Sequence, residues 1–427
     1  MSTVDAADAV EQAWREHWGR LLALLVSRYR RLDLAEDALA EAFEAATRHW
    51  ARDGVPANPP AWLLTAARRR VLDRLRAEAV HARREPVIVA DEELRRRERE
   101  QAADPARQEA PEVPDERLRL ILLCCHPALA LESSSALALR LVLGLSVADI
   151  ARLFLAREAT VAARITRAKR KIATAGMPFA LPPAHRLGER VDRVADVAYL
   201  AFTAGYVPGP GAQLHRVELA GEAVRLLRVT RELVGPAPLV DLTLALMCFQ
   251  HARRDARQDP RTGDLVLLPD QDRSRWHHDE IDAAAGLLAP WLGEALPDRP
   301  RVRLLEALIA AEHAVAPTAA DTRWDRIAAA YAELEALTAS PVVRLNRAVA
   351  VAEAEGPDAG LSLLDGLEAQ LGSSHRLPAV RAELLARRGD REAARTAYEA
   401  AIRLCPNHVE RASLRRRADL LAAGTPR

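Results

Sequence analysis

Apolar residues recur at helical spacing from the start of the chain. Val10, Trp14, Trp18, Leu21, Leu25 and Tyr29 fall three or four residues apart and line one side of a helix, and Asp33 can cap a second helix from Leu34 to Trp50. Asp53, Gly54, Pro56, Asn58, Pro59 and Pro60 interrupt the pattern. A third helix starts there, with Trp62, Leu63, Ala66, Val71, Leu72 and Leu75 on one side and Arg68, Arg69, Arg70, Arg74 and Arg76 available to the other. The spacing predicts a small helical domain over residues 1–79.

Residues 80–114 lose that periodicity. Pro86, Pro105, Pro111 and Pro114 stand among mixed charges, the composition of a solvated linker. Helical patterning resumes at Asp115 and stops near Gly176, Met177 and Pro178, which defines a second domain over 115–176. Residues 188–427 read as a succession of Ala- and Leu-rich helices separated by Gly, Pro and Asp. Strand-type alternation is nearly absent, so the chain is expected to be all-α: two small helical domains joined by a linker, then a helical extension.

The densest chemistry lies in the second domain. Ser146 can cap a short helix carrying Ile150, Ala151 and Phe154, and a following helix places Val161, Ile165, Ala168 and Ile172 on one stripe. Opposite that stripe the helix is basic. Arg164, Arg167, Lys169, Arg170 and Lys171 suit a phosphate groove, while Thr160, Ala162, Ala163 and Thr166 reach toward base edges. A short helix, a turn and a basic second helix form a helix-turn-helix. Leu155 occupies the turn where glycine is common. Ala162 and Ala163 offer no hydrogen bonds to bases but can touch thymine methyls.

Formal net charge is +1, so a nucleic-acid surface must arise from local segregation of charge. Cys124, Cys125, Cys248 and Cys405 form no CxxC pair and read as small buried helix residues. No metal, cofactor or catalytic site is expected. His277 and His278 are adjacent and diverge on a helix, unlike the ligands of HExxH. With no basic and apolar leader and no apolar run of membrane-spanning length, the expected location is the cytoplasm, without membrane association.

Three sets of residues resemble a known family. Leu145-Ser146, Ile150-Ala151, Thr160-Val161, Arg164 and Arg167-Ala168 resemble the minus-35-reading half of RNA polymerase sigma factors of the extracytoplasmic-function type. Leu34-Ala35-Glu36-Asp37-Ala38 with Glu41, Ala42 and Phe43 resembles the sigma helix that docks on the polymerase β′ clamp helices. Residues 60–76, from Pro60 to Arg76, resemble the part that opens and holds the minus-10 element. The resemblance implies Asp37, Glu41 and Phe43 as core-polymerase contacts, and Trp62, Arg68, Arg69, Arg74 and Arg76 at minus-10 DNA. It also implies contact of the second domain with the β flap and of its basic helix with minus-35 DNA.

The extension resembles a tetratricopeptide-like repeat from Ala382 through Gly389, Tyr398 and Pro406, with a weaker copy from Val342 through Gly356 to Leu371. Pro378 and Arg381 depart from the repeat's apolar positions. The whole chain resembles the sigma subgroup with such a fused extension, often encoded beside small proteins with a DGPGG motif, which makes one a candidate partner. Asp270, Gln271, Asp272, Arg273, Arg275 and Trp276 form a polar run beside an aromatic, expected as an interhelical ion-pair network ahead of a regulatory surface. The competing function is a helix-turn-helix regulator with a repeat domain that senses a ligand or partner. Such a regulator has no need of the Asp37 helix or the arginine helix.

Overall fold

The computed structural model describes residues 3–82, 113–154, 156–206, 217–259, 261–262 and 264–423. The expected linker falls almost wholly on 83–112, outside the described residues, as does Leu155. The chain divides into two compact units, the first comprising residues up to Val197 together with Glu232–Val234 and the second the remainder. Among the described residues regular structure is helical, with isolated bridge positions at Gln258, which pairs with Leu265, and at Asn407.

The first unit opens with α1 (Thr3–Tyr29), α2 (Leu32–Asp53) and α3 (Pro59–Ala82). Asp33 does not cap α2. The helix begins two residues earlier, at Leu32, with Arg31 at the cap, and Asp33 lies in its first turn. Gly54, at φ +86°, ends α2, a conformation in which a Cβ would be strained. Asn58 starts α3 by accepting the Ala61 amide at 3.1 Å. The deeply buried line of α3 is Leu63, Ala67 and Val71, one residue off the expected Ala66 register, and Trp62 is half-buried against Trp50. Trp14 and Trp18 stack with centroids 4.2 Å apart and cover Phe43.

The second helical group contains α4 (Val113–Cys124), α5 (Leu131–Leu141), α6 (Val147–Leu153) and α7 (Glu158–Thr174). Ser146 caps α6 as expected, its hydroxyl accepting the Asp149 amide at 3.0 Å. Val161, Ile165, Ala168 and Ile172 are all buried, so α7 is held by the stripe its spacing predicts. Each large member contributes about 1.5–3 kcal/mol of burial. The following helix, α8 (Ala184–Tyr206), braces this group. Arg190 and Arg193 donate to the carbonyls of Leu122 and Leu129 at 2.7 and 2.8 Å, and the Ser135 hydroxyl reaches the Val197 carbonyl at 3.2 Å.

The second unit contains α9 (Val217–Val234), of which only the last three residues belong to the first unit, α10 (Pro238–His251), α11 (His278–Leu288), α12 (Asp298–Val315), α13 (Trp324–Thr338), α14 (Pro341–Glu355), α15 (Pro357–Leu363), α16 (Glu368–Leu371), α17 (Arg376–Arg388), α18 (Arg391–Leu404) and α19 (His408–Ala423). Neighbouring helices pack in sequence order, α12 on α13, α13 on α14, and α17 on α18. Gly389, at φ +94°, turns α17 into α18, and Asp390 caps α18 by accepting the Ala393 amide. Gly360 lets α15 approach α14. A Cβ there would lie 2.6 Å from both the Ala348 carbonyl and the Ala352 methyl.

Candidate promoter and polymerase interface

On α7 the side chains of Thr160, Ala163, Thr166, Arg167, Arg170 and Lys171 are exposed, and Ala162, Arg164 and Lys169 are half-buried. Arg167 donates through Nε to the Ala163 carbonyl at 3.2 Å, and Lys171 reaches the Ala128 carbonyl. The exposed basic face lies opposite the buried stripe, the arrangement in which a helix is anchored by one side and presents cations on the other.

Lys169 points elsewhere. Its ammonium bonds Glu36 of α2, whose second carboxylate oxygen accepts Arg140 Nε at 2.6 Å. Glu36 is 3% exposed, so burying it is favourable only with both cations in place. Arg140 also donates to the Leu145 carbonyl at 2.9 Å, and its guanidinium lies 5.9 Å from the Trp18 ring centroid. Trp14 donates to the Gly144 carbonyl at 2.9 Å. Backbones approach closely alongside. A Cβ on Gly19 would stand 2.1 Å from the Val142 carbonyl oxygen. Thus α1 and α2 seat directly on the helix-turn-helix group within one compact unit.

The clamp-like residues also have partners. Arg74 of α3 donates to Asp37 at 3.4 Å and bonds Glu41, while Arg70 lies 3.3 Å from Glu41. Residues assigned by resemblance to polymerase and to minus-10 DNA therefore pair with one another. Phe43 is buried against Trp14 and Trp18, which confines it to positioning α2. Arg69 is exposed, Arg68 is half-buried, and Arg76 lies 2.9 Å from Asp73. Trp62 remains half-exposed with its ring 5.9 Å from that of His49.

Burial raises the thiol of Cys124 well above its ordinary range, helped by the nearby Cys125 and Glu36, and pushes Cys125 to about 12. Both are inert packing groups, Cys124 beside the Glu36 cluster and Cys125 beside Arg190 and Arg193. All four cysteines are free and buried.

The Asp270–Trp276 run is not the expected ion-pair network. Its aspartates and arginines do not pair with one another. Asp272 accepts the amide and hydroxyl of Ser274, and Gln271 donates to the Val266 carbonyl. Arg273 donates to the His313 and Ala316 carbonyls at 2.9 and 2.6 Å while its guanidinium sits 4.4 Å from the ring centroid of buried Trp276. Arg275 is half-buried and Asp270 exposed. The arginine caps the end of α12, satisfying carbonyls that a helix terminus leaves open. The signal for ion pairs was composition. The outcome depended on which backbone came near.

Residues missed by sequence reasoning are Glu36 as a buried ligand of two cations, and Arg140, Gly19 and Gly144. One signal was present: Glu36 lies three and seven residues before Leu39 and Phe43, on the apolar stripe of α2.

Comparisons with known proteins agree with these elements. Residues 5–80 match sigma-70 region 2, and residues 119–172 match sigma-70 region 4. Residues 190–292 match a family of unknown function, DUF6596. The chain is 39% identical to the uncharacterized protein R00370 of Rhizobium meliloti (strain 1021), across 94% of this chain and 93% of that protein. The chain belongs to the sigma-70 factors of the extracytoplasmic-function type and carries an additional helical domain. It is an RNA polymerase sigma factor, which binds core polymerase and promoter DNA to initiate transcription. Among the described residues no helix is long and apolar enough to cross a membrane.

Proposed function

We propose that α2 engages the β′ clamp helices through Asp37 and Glu41, with Phe43 holding the helix in place, and that the helix-turn-helix group binds the β flap. Trp62, Arg68, Arg69, Arg74 and Arg76 hold melted minus-10 DNA, the arginines by phosphate contact and Trp62 by stacking. Thr160, Arg164, Thr166, Arg167, Lys169, Arg170 and Lys171 grip the minus-35 duplex, while Ala162 and Ala163 meet thymine methyls. The protein acts in the cytoplasm and is not an enzyme. Its extension, tetratricopeptide-like in its last hairpins, regulates or supports initiation, with a small DGPGG-motif protein as a partner.

The observation that carries this proposal is the pairing of Lys169 with Glu36. Minus-10 and minus-35 elements lie about 25 base pairs apart, or about 85 Å at roughly 34 Å per ten pairs. A lysine bonded to α2 cannot reach the minus-35 groove while α2 and α3 serve minus-10. The Glu36 cluster therefore belongs to a closed form that parts on engaging core polymerase. Polymerase competes for Asp37 and Glu41, which frees Arg74 for DNA in the same step.

Reconstituted transcription with core polymerase, on the promoter of the protein's own operon, tests it. Full chain is compared with a chain ended at residue 206, a cut that keeps the α8 contacts to Leu122 and Leu129. Promoter-specific initiation from at least one form is expected. Higher output from the shorter chain makes the extension an inhibitor, and output from the full chain alone makes it a required element. No initiation from either, with core active under another sigma factor, contradicts the proposal.

A further inference from the structure

His375, Cys405 and Glu410 converge in the last helices of the second unit. His375 Nε2 lies 3.4 Å from Glu410 Oε2, Cys405 Sγ lies 3.9 Å from the same oxygen, and the three donor atoms all fall within 4.8 Å of one another. Among the described residues no other group of three metal-ligating side chains comes together. We propose that this triad binds a divalent transition metal of the zinc class, with the fourth position taken by water from the adjoining cavity.

The geometry supports it. Tetrahedral zinc, with bonds of about 2.0–2.3 Å to nitrogen, oxygen and sulfur, separates its ligand atoms by roughly 3.3–3.7 Å. Two of the three separations, 3.4 and 3.9 Å, lie within a few tenths of an ångström of that range, and the third, between His375 and Cys405, lies within 4.8 Å, so closing the shell takes a side-chain shift of about 1 Å at most. Imidazole, thiolate and carboxylate are the ligand types zinc prefers, and the two anions balance its charge.

The framework is fixed before metal arrives. Asn407, 1% exposed, accepts the amides of Val409 and Glu410 at 2.9 and 3.0 Å, which locks the turn between Cys405 and α19. Arg411 donates to the Cys405 carbonyl at 3.3 Å. His375 opens α17, its carbonyl accepting the Ala379 amide at 3.1 Å. A cavity of about 450 Å³ lined by His375, Glu410, Ser413 and Leu414 offers an entry path and room for the water. Without metal the thiol donates to the Asn407 carbonyl at 3.5 Å. On binding, the Cys405 proton passes to solvent and the sulfur–metal bond takes its place. The ion then ties the start of α17 and the α18–α19 turn together, stapling the end of the repeat.

Titration of the full chain with cobalt(II) tests the site, because zinc is spectroscopically silent. One equivalent is expected to produce a thiolate-to-cobalt charge-transfer band with tetrahedral visible bands, and one equivalent of zinc to abolish both. Cys405→Ser removes the charge-transfer band, and His375→Gln and Glu410→Gln weaken cobalt binding by about 10-fold or more. Cys124→Ser, Cys125→Ser and Cys248→Ser leave it unchanged. Absence of the band in the full chain, or its survival in Cys405→Ser, overturns the proposal. If Cys405→Ser fails to fold by circular dichroism, unchanged binding in both other variants overturns it equally.

Discussion

Lys169, on the basic helix α7, bonds Glu36, a carboxylate buried in α2. Arg140 completes the cluster from 2.6 Å. Two cations around one buried anion make the closed form depend on that anion.

Glu36→Gln leaves Arg140 and Lys169 close together without their counter-charge. The closed form is expected to lose about 2–4 kcal/mol, short of the full cost of orphaning a buried charge because both cations remain partly in solvent. Affinity for an isolated minus-35 duplex should rise, by up to the roughly 30-fold or more that this loss represents, as the open fraction grows. Calorimetric titration checks it, and an affinity that falls or stays level counts against the latch.

Gly19 gives a test with opposed signs. In an exposed helix Gly→Ala stabilises by about 1 kcal/mol. Gly188 of α8 has nothing within 4 Å of its added Cβ, so Gly188→Ala should show that gain. Gly19→Ala puts the methyl 2.1 Å from a backbone oxygen and should instead cost about 2 kcal/mol or more. Chemical denaturation of both variants gives the comparison.

Arg167 and Arg170 are exposed on α7 and pair with no carboxylate among the described residues. As phosphate contacts, each replaced by Ala should weaken minus-35 binding across sequences and lower the slope of log K against log salt by about 1. Loss confined to one promoter sequence would make them base readers instead.

The extension should weaken in mild acid. Burial, aided by Arg253 and Arg273, lowers the His313 imidazole to about 4. Its folded value lies below the unfolded 6.5, so the unfolded chain binds the extra proton between those limits. Stability is then full above about pH 6.5 and falls as pH drops toward 4, by up to about 1.4 kcal/mol per pH unit. His313→Asn should flatten that part of the denaturation profile. An equally steep fall in the variant would assign it to other groups.

Local periodicity made much of the fold legible. The α7 stripe, the Ser146 cap and the Gly389 turn each depend on neighbours within about four residues, and the structure has them where the pattern placed them. Asp33 missed the cap of α2 because Arg31 takes it, and the α3 stripe shifted to Ala67 because packing on α2 sets the rotation. Long-range choices were not legible. Nothing near Lys169 in sequence announces Glu36, and nothing near Arg273 announces the end of α12. Spacing shows that a face is basic. It does not show which of its cations are already taken.

The most direct test is the separation of α2 from α7, read by paired spin labels or fluorophores at exposed Thr47 and Thr174. In the free chain the two helices should be held close, as the Glu36–Lys169 bond requires. Bound to core polymerase on a promoter it transcribes, the separation should lengthen toward the order of 80 Å. An unchanged short distance in a complex that initiates transcription would contradict the opening of the closed form.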